Sequence, residues 1–351
     1  MKLLNVDDID QEYVLAQDVM TEDYRVLLSK GTVLKQDYLN KLRANGIHEV
    51  YVNETIQVDA VQMVILRDEI EQTFRENVKS VMEKHVYPNS SELSSIIQTA
   101  DEIIMNILEE DDVIERVYDI KERSADIYEH SISLCTLATL TALKLGLSKD
   151  SVHDIGVASL LHDLGLRYLT IHYENQNLDQ LNEFEYAEYK KHPVYAYSAL
   201  KNETWISERS KNLILLHHEH LDGSGYPLHA TELSIEARII SVCDSFDEMI
   251  CGVGCVRSKV YEAIEYLKIF KKTFFDEKVV DTFLQFIAIY PVGTKVLLNS
   301  GEIAVVVKQN SEFPERPVLR VIQDRDGQVI QNEKVIDLLR EHSIFINDVM
   351  D

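Results

Sequence analysis

Between Val61 and Tyr290, apolar residues recur at helical spacing with few interruptions. So long a run of helix-forming sequence leaves little room for any architecture but a helical bundle. Stretches of a different period flank it on both sides. Residues 1–60 read as a small α/β module. In it, YRVLLSKGTVL (24–34) is a hairpin turning at Lys30-Gly31, KQDYLNKLRANG is a short helix ended by Gly46, and HEVYV (48–52) is a strand. Beyond Pro291, TKVLL, IAVVVKQ, PVLRVIQ and QVIQ are short β runs, with turns at Asn299-Ser300-Gly301 and around Gly327. The expected fold is mainly α: a small N-terminal α/β module (1–60), a helical connector (61–120), a helical domain (121–290) and a small C-terminal β module (291–351).

Punctuation within the helical run sets its elements. Pro88 and Asn89-Ser90-Ser91 separate the first two long helices. ADIYEHSISLCTLATLTALKLG stops at Gly146, and Ser148 caps the helix that runs through DIGVASLLHDLG. Asn182 and Glu185 have capping-box spacing. Pro193 disfavours α geometry at His192, so a bend is expected there.

Composition excludes several function classes. A net charge of −25 with no basic stripe argues against binding a nucleic-acid polymer, but leaves small phosphate ligands open. Cys135, Cys243, Cys251 and Cys255 do not make a secreted disulfide framework and read as reduced thiols. The chain opens without a signal-like segment, and no run approaches the roughly 18 apolar residues of a membrane span. A soluble cytoplasmic protein is expected.

Histidines and carboxylates gather at the helix ends of the central region. His130 lies four residues after Asp126, which would put both on one helix face. His162 and Asp163 end an apolar helix, His192 precedes Pro193, His217 and His218 end another helix, and Asp244 lies inside the apolar RIISVCDSFDEMI. Any one of these is more simply a packed core residue. Together they exceed what packing requires. Mixed imidazole and carboxylate donors suit iron, manganese, zinc or nickel, and the set is too large for one four- or six-coordinate ion. Two neighbouring ions are a standard device for phosphoester hydrolysis.

ASLLHDLG (158–165), KHP (191–193), HHEHLDGSGYP (217–227) and ARIISVCDSFD (237–247) resemble the HD-GYP family of HD phosphohydrolases, in the family's order. The resemblance implies a helical bundle around two or three divalent ions, usually iron or manganese, that hydrolyses cyclic di-GMP to pGpG, GMP or both. By motif position it implies that His130, His162, Asp163 and Asp244 hold one ion. Asp163 would bridge to a second ion held by His192, His217 and His218, and with His162 it would form the catalytic pair. Asp126 falls where members with a third ion carry an acidic ligand, usually Glu. Asp222, Gly223, Gly225, Tyr226 and Pro227 would form the signature loop beside the substrate groove, with His220 a loop residue and Glu219 orienting a ligand histidine.

Two departures from the family pattern concern the phosphate. Leu166 stands where members with HDxGK carry a lysine, and CGVGCVRSK replaces an RPYR-like segment. Arg167, Arg257 and Lys259 are the candidate replacement cations. A metal-bound but catalytically weak receptor for a cyclic dinucleotide, and an HD phosphohydrolase of another phosphoester, are the alternative readings. A homodimer and a diguanylate-cyclase partner docking on the loop are left open.

Overall fold

The computed structural model describes residues 2–6, 9, 13–20, 26–28, 32, 34, 36–54, 64–84, 95–109, 118–120, 125–310 and 313–350. They fall into two compact units, residues 1–59 and 60–351.

In the first unit, β1 (Lys2–Asn5), β5 (Glu49–Glu54) and β2 (Tyr13–Leu15) form an antiparallel sheet with β5 central. Helix α1 (Gln36–Ala44) supplies Leu39 and Leu42 to a core with Leu15, Val50 and Val52. Gly46 follows the helix with φ +70°, the left-handed conformation that glycine adopts without strain. Strand β4 (Val26–Leu28) pairs with β3 (Val19–Met20), while Leu15 N–H donates to Thr32 O and Leu34 N–H to Tyr13 O. The Lys30-Gly31 turn lies outside the described residues.

The second unit is mainly α. Its helices are α2 (Asp68–Lys84), α3 (Ser95–Glu109), α4 (Ile127–Lys144), α5 (Lys149–Leu161), α6 (Glu183–Tyr189), α7 (His192–Leu200), α8 (Glu208–Leu216), α9 (Ile235–Cys251), α10 (Val260–Ile269) and α11 (Glu277–Leu284). One core joins all of them but α6, whose Tyr189 packs in a smaller cluster; Phe74, Val78 and Met82 of α2 and Ile103 and Ile107 of α3 pack among residues of α4, α5 and α9. Helix α4 is central: every residue from His130 to Ala142 is buried, so the helix is covered all the way round. Pro88 and Asn89-Ser90-Ser91 lie outside the described residues.

The local signals in this region act as side-chain caps. Ser148 accepts from Ser151 N–H, and Asn182 and Glu185 close a reciprocal capping box. At Pro193 the outcome differs from the expectation. The chain breaks at Lys190 and Lys191, and His192 is already the first residue of α7. Proline is tolerated in the first helical turn, where its missing N–H has no intrahelical partner to lose.

The unit ends in a five-stranded antiparallel sheet in the order β10-β6-β7-β8-β9. The strands are β6 (Lys295–Leu298), β7 (Ile303–Lys308), β8 (Val318–Gln323), β9 (Val329–Asp337) and β10 (Ile346–Met350). The edge strand β10 is absent from the sequence reading, because INDVM carries no clean apolar alternation.

Candidate metal centre

Five helices deliver one cluster. His130 lies one turn into α4, while His162 and Asp163 open the 3-10 segment His162–Tyr168 that continues α5. His192 begins α7, His217 caps the C-terminus of α8 with His218 next, and Asp244 sits mid-way along α9. All seven side chains are buried. Gly165 lets the 3-10 segment close on α7, since a Cβ there would stand 1.9 Å from the His192 carbonyl oxygen.

Backbone carbonyls fix the tautomer of three imidazoles. Nδ1–H of His162, His192 and His217 donates to the carbonyls of Ser159 (2.8 Å), Tyr189 (2.8 Å) and Ile214 (2.7 Å). Because a carbonyl only accepts, each ring in its neutral form keeps its Nε2 lone pair facing inward. His130 Nδ1 is held by Asp247 Oδ2 at 2.8 Å, and Ser133 Oγ donates to the other Asp247 oxygen at 2.6 Å.

The inward atoms form two adjoining groups. His130 Nε2 stands 3.1 Å from both His162 Nε2 and Asp244 Oδ1. His192 Nε2 stands 3.1 Å from Nε2 of both His217 and His218. Asp163 spans the two: Oδ2 is 3.3 Å from His162 Nε2, and Oδ1 is 3.4 Å from His192 Nε2 and 4.0 Å from His217 Nε2.

Asp163 Oδ2 and Asp244 Oδ2 are buried without a hydrogen-bond partner. Leaving carboxylate oxygens so costs free energy that a cation recovers. Closely spaced imidazole lone pairs around them are a donor set for a divalent metal ion.

The electrostatics divide the histidines the same way. Burial works against charge on His162, but Asp163 and Asp244 prevail and raise its pKa to about 9. His130 is also raised, against burial, by Cys251, Asp244 and Asp247. Burial and the neighbouring His162 depress His217 to about 3; His192 and His218 are lowered too, chiefly by burial. Asp163 is held below the usual carboxylate range, because its surrounding histidines outweigh its burial.

The remaining expected residues are placed as follows. Asp126 is not brought into the cluster: it is the N-cap of α4, accepts from the N–H groups of Tyr128 and Glu129, and pairs with Arg75 of α2. Glu219 ties down the loop instead of orienting a histidine, accepting from Leu228 N–H at 2.5 Å and Ala230 N–H at 2.9 Å. Asp222 accepts from Ser224 N–H, and Gly223 takes φ +78°. Gly225 presses on the chain at His218 and His220, where a Cβ would stand 2.4 Å from backbone atoms. Next to Pro227, the Tyr226 ring packs on His218 with centroids 4.6 Å apart. His220 stacks on Phe274 at 4.4 Å.

Leu166 is buried against Tyr189, Cys251 and Val253. Arg167 donates to the Glu83 carbonyl at 3.2 Å, at the end of α2, and Arg257 lies in the loop after α9, its N–H on Asn175 Oδ1. Sequence reasoning missed Asp247, which holds His130, and Glu248, whose Oε1 is 3.8 Å from His218 Nε2. Both follow Asp244 at i+3 and i+4, on the same helical face, and that spacing was the available signal.

Fold and site together define a helical-bundle protein built around a buried divalent-metal centre. The HD domain profile matches residues 104–279, and a KOW domain associated with HD domains matches residues 295–351. The chain belongs to the HD domain family, in its HD-GYP branch. It is 29% identical over 244 residues to a cyclic di-GMP phosphodiesterase of Pseudomonas aeruginosa, covering 68% of this chain and 58% of the relative. It is 27% identical over 219 residues to the cyclic di-GMP phosphodiesterase PdeB of Borreliella burgdorferi, covering 61% of this chain and 55% of the relative. The chain thus spans somewhat over half the length of these curated relatives. An HDG"Y"P protein of Bdellovibrio bacteriovorus shares the fold, with a TM-score of 0.51 at 18% identity over 80% of this chain and 97% of that one. Among the described residues no helix is long and apolar enough to cross a membrane.

Proposed function

We propose that this chain is a metal-dependent phosphodiesterase that hydrolyses cyclic di-GMP to pGpG, GMP or both, using two or three divalent ions, iron or manganese. The observation that carries the reading is the pair of buried oxygens that no hydrogen bond satisfies, Asp163 Oδ2 and Asp244 Oδ2, among inward-facing imidazoles. His130, His162, Asp163 and Asp244 would hold one ion, and His192, His217 and His218 a second, with Asp163 bridging. Bound ions would supply positive charge at the phosphoryl oxygens and acidify a water for in-line attack.

The chain's own residues do the rest. Carbonyl-anchored imidazoles aim their Nε2 atoms inward, and His162 gives up its proton as an ion binds; Asp163 sets the spacing of the two groups, and Tyr226 walls the second group by packing on His218. Two cyclic di-GMP phosphodiesterases among the relatives support the substrate class. Four free cysteines favour a cytoplasmic location. A homodimer and a diguanylate-cyclase partner on the 217–227 loop fit this signalling role.

Protein purified anaerobically and loaded with iron or manganese should hydrolyse cyclic di-GMP. Measurable binding without turnover would instead establish the second reading, a metal-bound receptor, which buried Leu166 at the lysine position favours.

A further inference from the structure

With Leu166 buried and Arg167 held at α2, neither stands ready to meet the part of an anionic ligand that bound ions would not reach. At a net charge of −25 the surrounding field repels such a ligand, so a local positive charge matters more. Lys190, in the break between α6 and α7 and two residues before His192, stands in that position. Its Nζ lies 4.1 Å from the centroid of Tyr186 and 5.5 Å from that of Tyr226. The Tyr226 ring packs in turn on His218 at 4.6 Å, so Nζ stands within about 10 Å of that ligand ring, one aromatic ring away. Two aromatic faces fix the ammonium while leaving its charge available. Among the described residues no carboxylate pairs with it.

Resting on the phosphodiesterase reading, we propose that Lys190 is a substrate-binding residue that contacts the second phosphate of the cyclic dinucleotide, outside the phosphoryl group being cut. It sits beside the ligand cluster and not among the inward donor atoms, so it acts on affinity more than on the chemical step.

The test compares Lys190→Met and Lys190→Arg with wild type, all loaded with manganese, on two substrates. Cyclic di-GMP has a second phosphate; bis(p-nitrophenyl) phosphate has none. Lys190→Met should raise KM for cyclic di-GMP by about tenfold or more, the scale of a lost hydrogen bond to a charged group. Its kcat, and turnover of the single-phosphate substrate, should stay near wild type. Lys190→Arg should keep most of the affinity, and the salt dependence of KM should be shallower in Lys190→Met. An unchanged KM in Lys190→Met, or equal losses on both substrates, overturns the role of Lys190 alone. Wild type that cleaves bis(p-nitrophenyl) phosphate but neither binds nor cleaves cyclic di-GMP overturns the substrate reading, and this inference with it.

Discussion

Replacing Gly165 with alanine tests whether the centre depends on how closely the His162–Tyr168 segment approaches α7. A Cβ at this position would lie 1.9 Å from the His192 carbonyl oxygen and 2.7 Å from its carbonyl carbon. Backbone atoms cannot swing aside as a flexible side chain can. Since real Cβ contacts begin near 3.0 Å, the two elements must separate by about 1.1 Å, the difference from 1.9 Å. Asp163 rides on one element and His192 on the other, with Oδ1 and Nε2 now 3.4 Å apart. Metal–ligand distances hold to about 0.2 Å, so a displacement several times larger removes Asp163 from one ion. A misplacement of about 1 Å costs on the order of a hundredfold in rate. Gly165→Ala should therefore lose at least one ion per chain by elemental analysis, with kcat down about a hundredfold. Far-UV circular dichroism checks that the helices remain. A folded variant with the wild-type ion content and kcat within threefold of wild type would refute the reasoning.

Two further outcomes follow from the same geometry. Asp247→Asn keeps the size of the group that holds His130 but removes its charge, and metal affinity should fall about 10- to 100-fold while the fold persists; unchanged affinity by calorimetry would show that Asp247 is dispensable. The metal-free protein should be most stable near pH 6.5. Below that, the unfolded chain takes up protons that His217, lowered to about 3, and the lowered His192 and His218 refuse when folded, so stability falls as the medium becomes more acid. Above it, the stabilisation from protonated His162 is lost as pH rises through about 9, and that from the raised His130 is lost on the same alkaline side. Urea midpoints across pH check this, and a midpoint rising steadily from pH 5 to 9 would contradict it.

Much of this arrangement can be read in the sequence because its histidines sit at helix ends marked by local signals. Ser148 and Asn182 fix where α5 and α6 start, and the motif strings mark where the ligand histidines fall. Asp126 shows the limit of spacing rules. Its separation of four from His130 implies a shared face only if both lie inside the helix. The helix starts at Ile127, and Asp126, at φ −125° and ψ 112°, turns its carboxylate to the first free N–H groups. Glu219 is misread for a similar reason. Its neighbours in sequence are ligand histidines, but beyond the end of α8 the chain turns and aims Glu219 at the amides of the 228–230 segment. The contact of Lys190 with the Tyr226 ring joins segments far apart in the chain and needed the packing itself.

The central claim is a paired centre bridged by Asp163, and the number of ions per chain tests it most directly. Elemental analysis of anaerobically purified wild type and Asp163→Ala, both with native helix content, should give two or more ions per chain for wild type and at least one fewer for the variant. One ion or none in wild type, or an unchanged number in Asp163→Ala, would contradict the account.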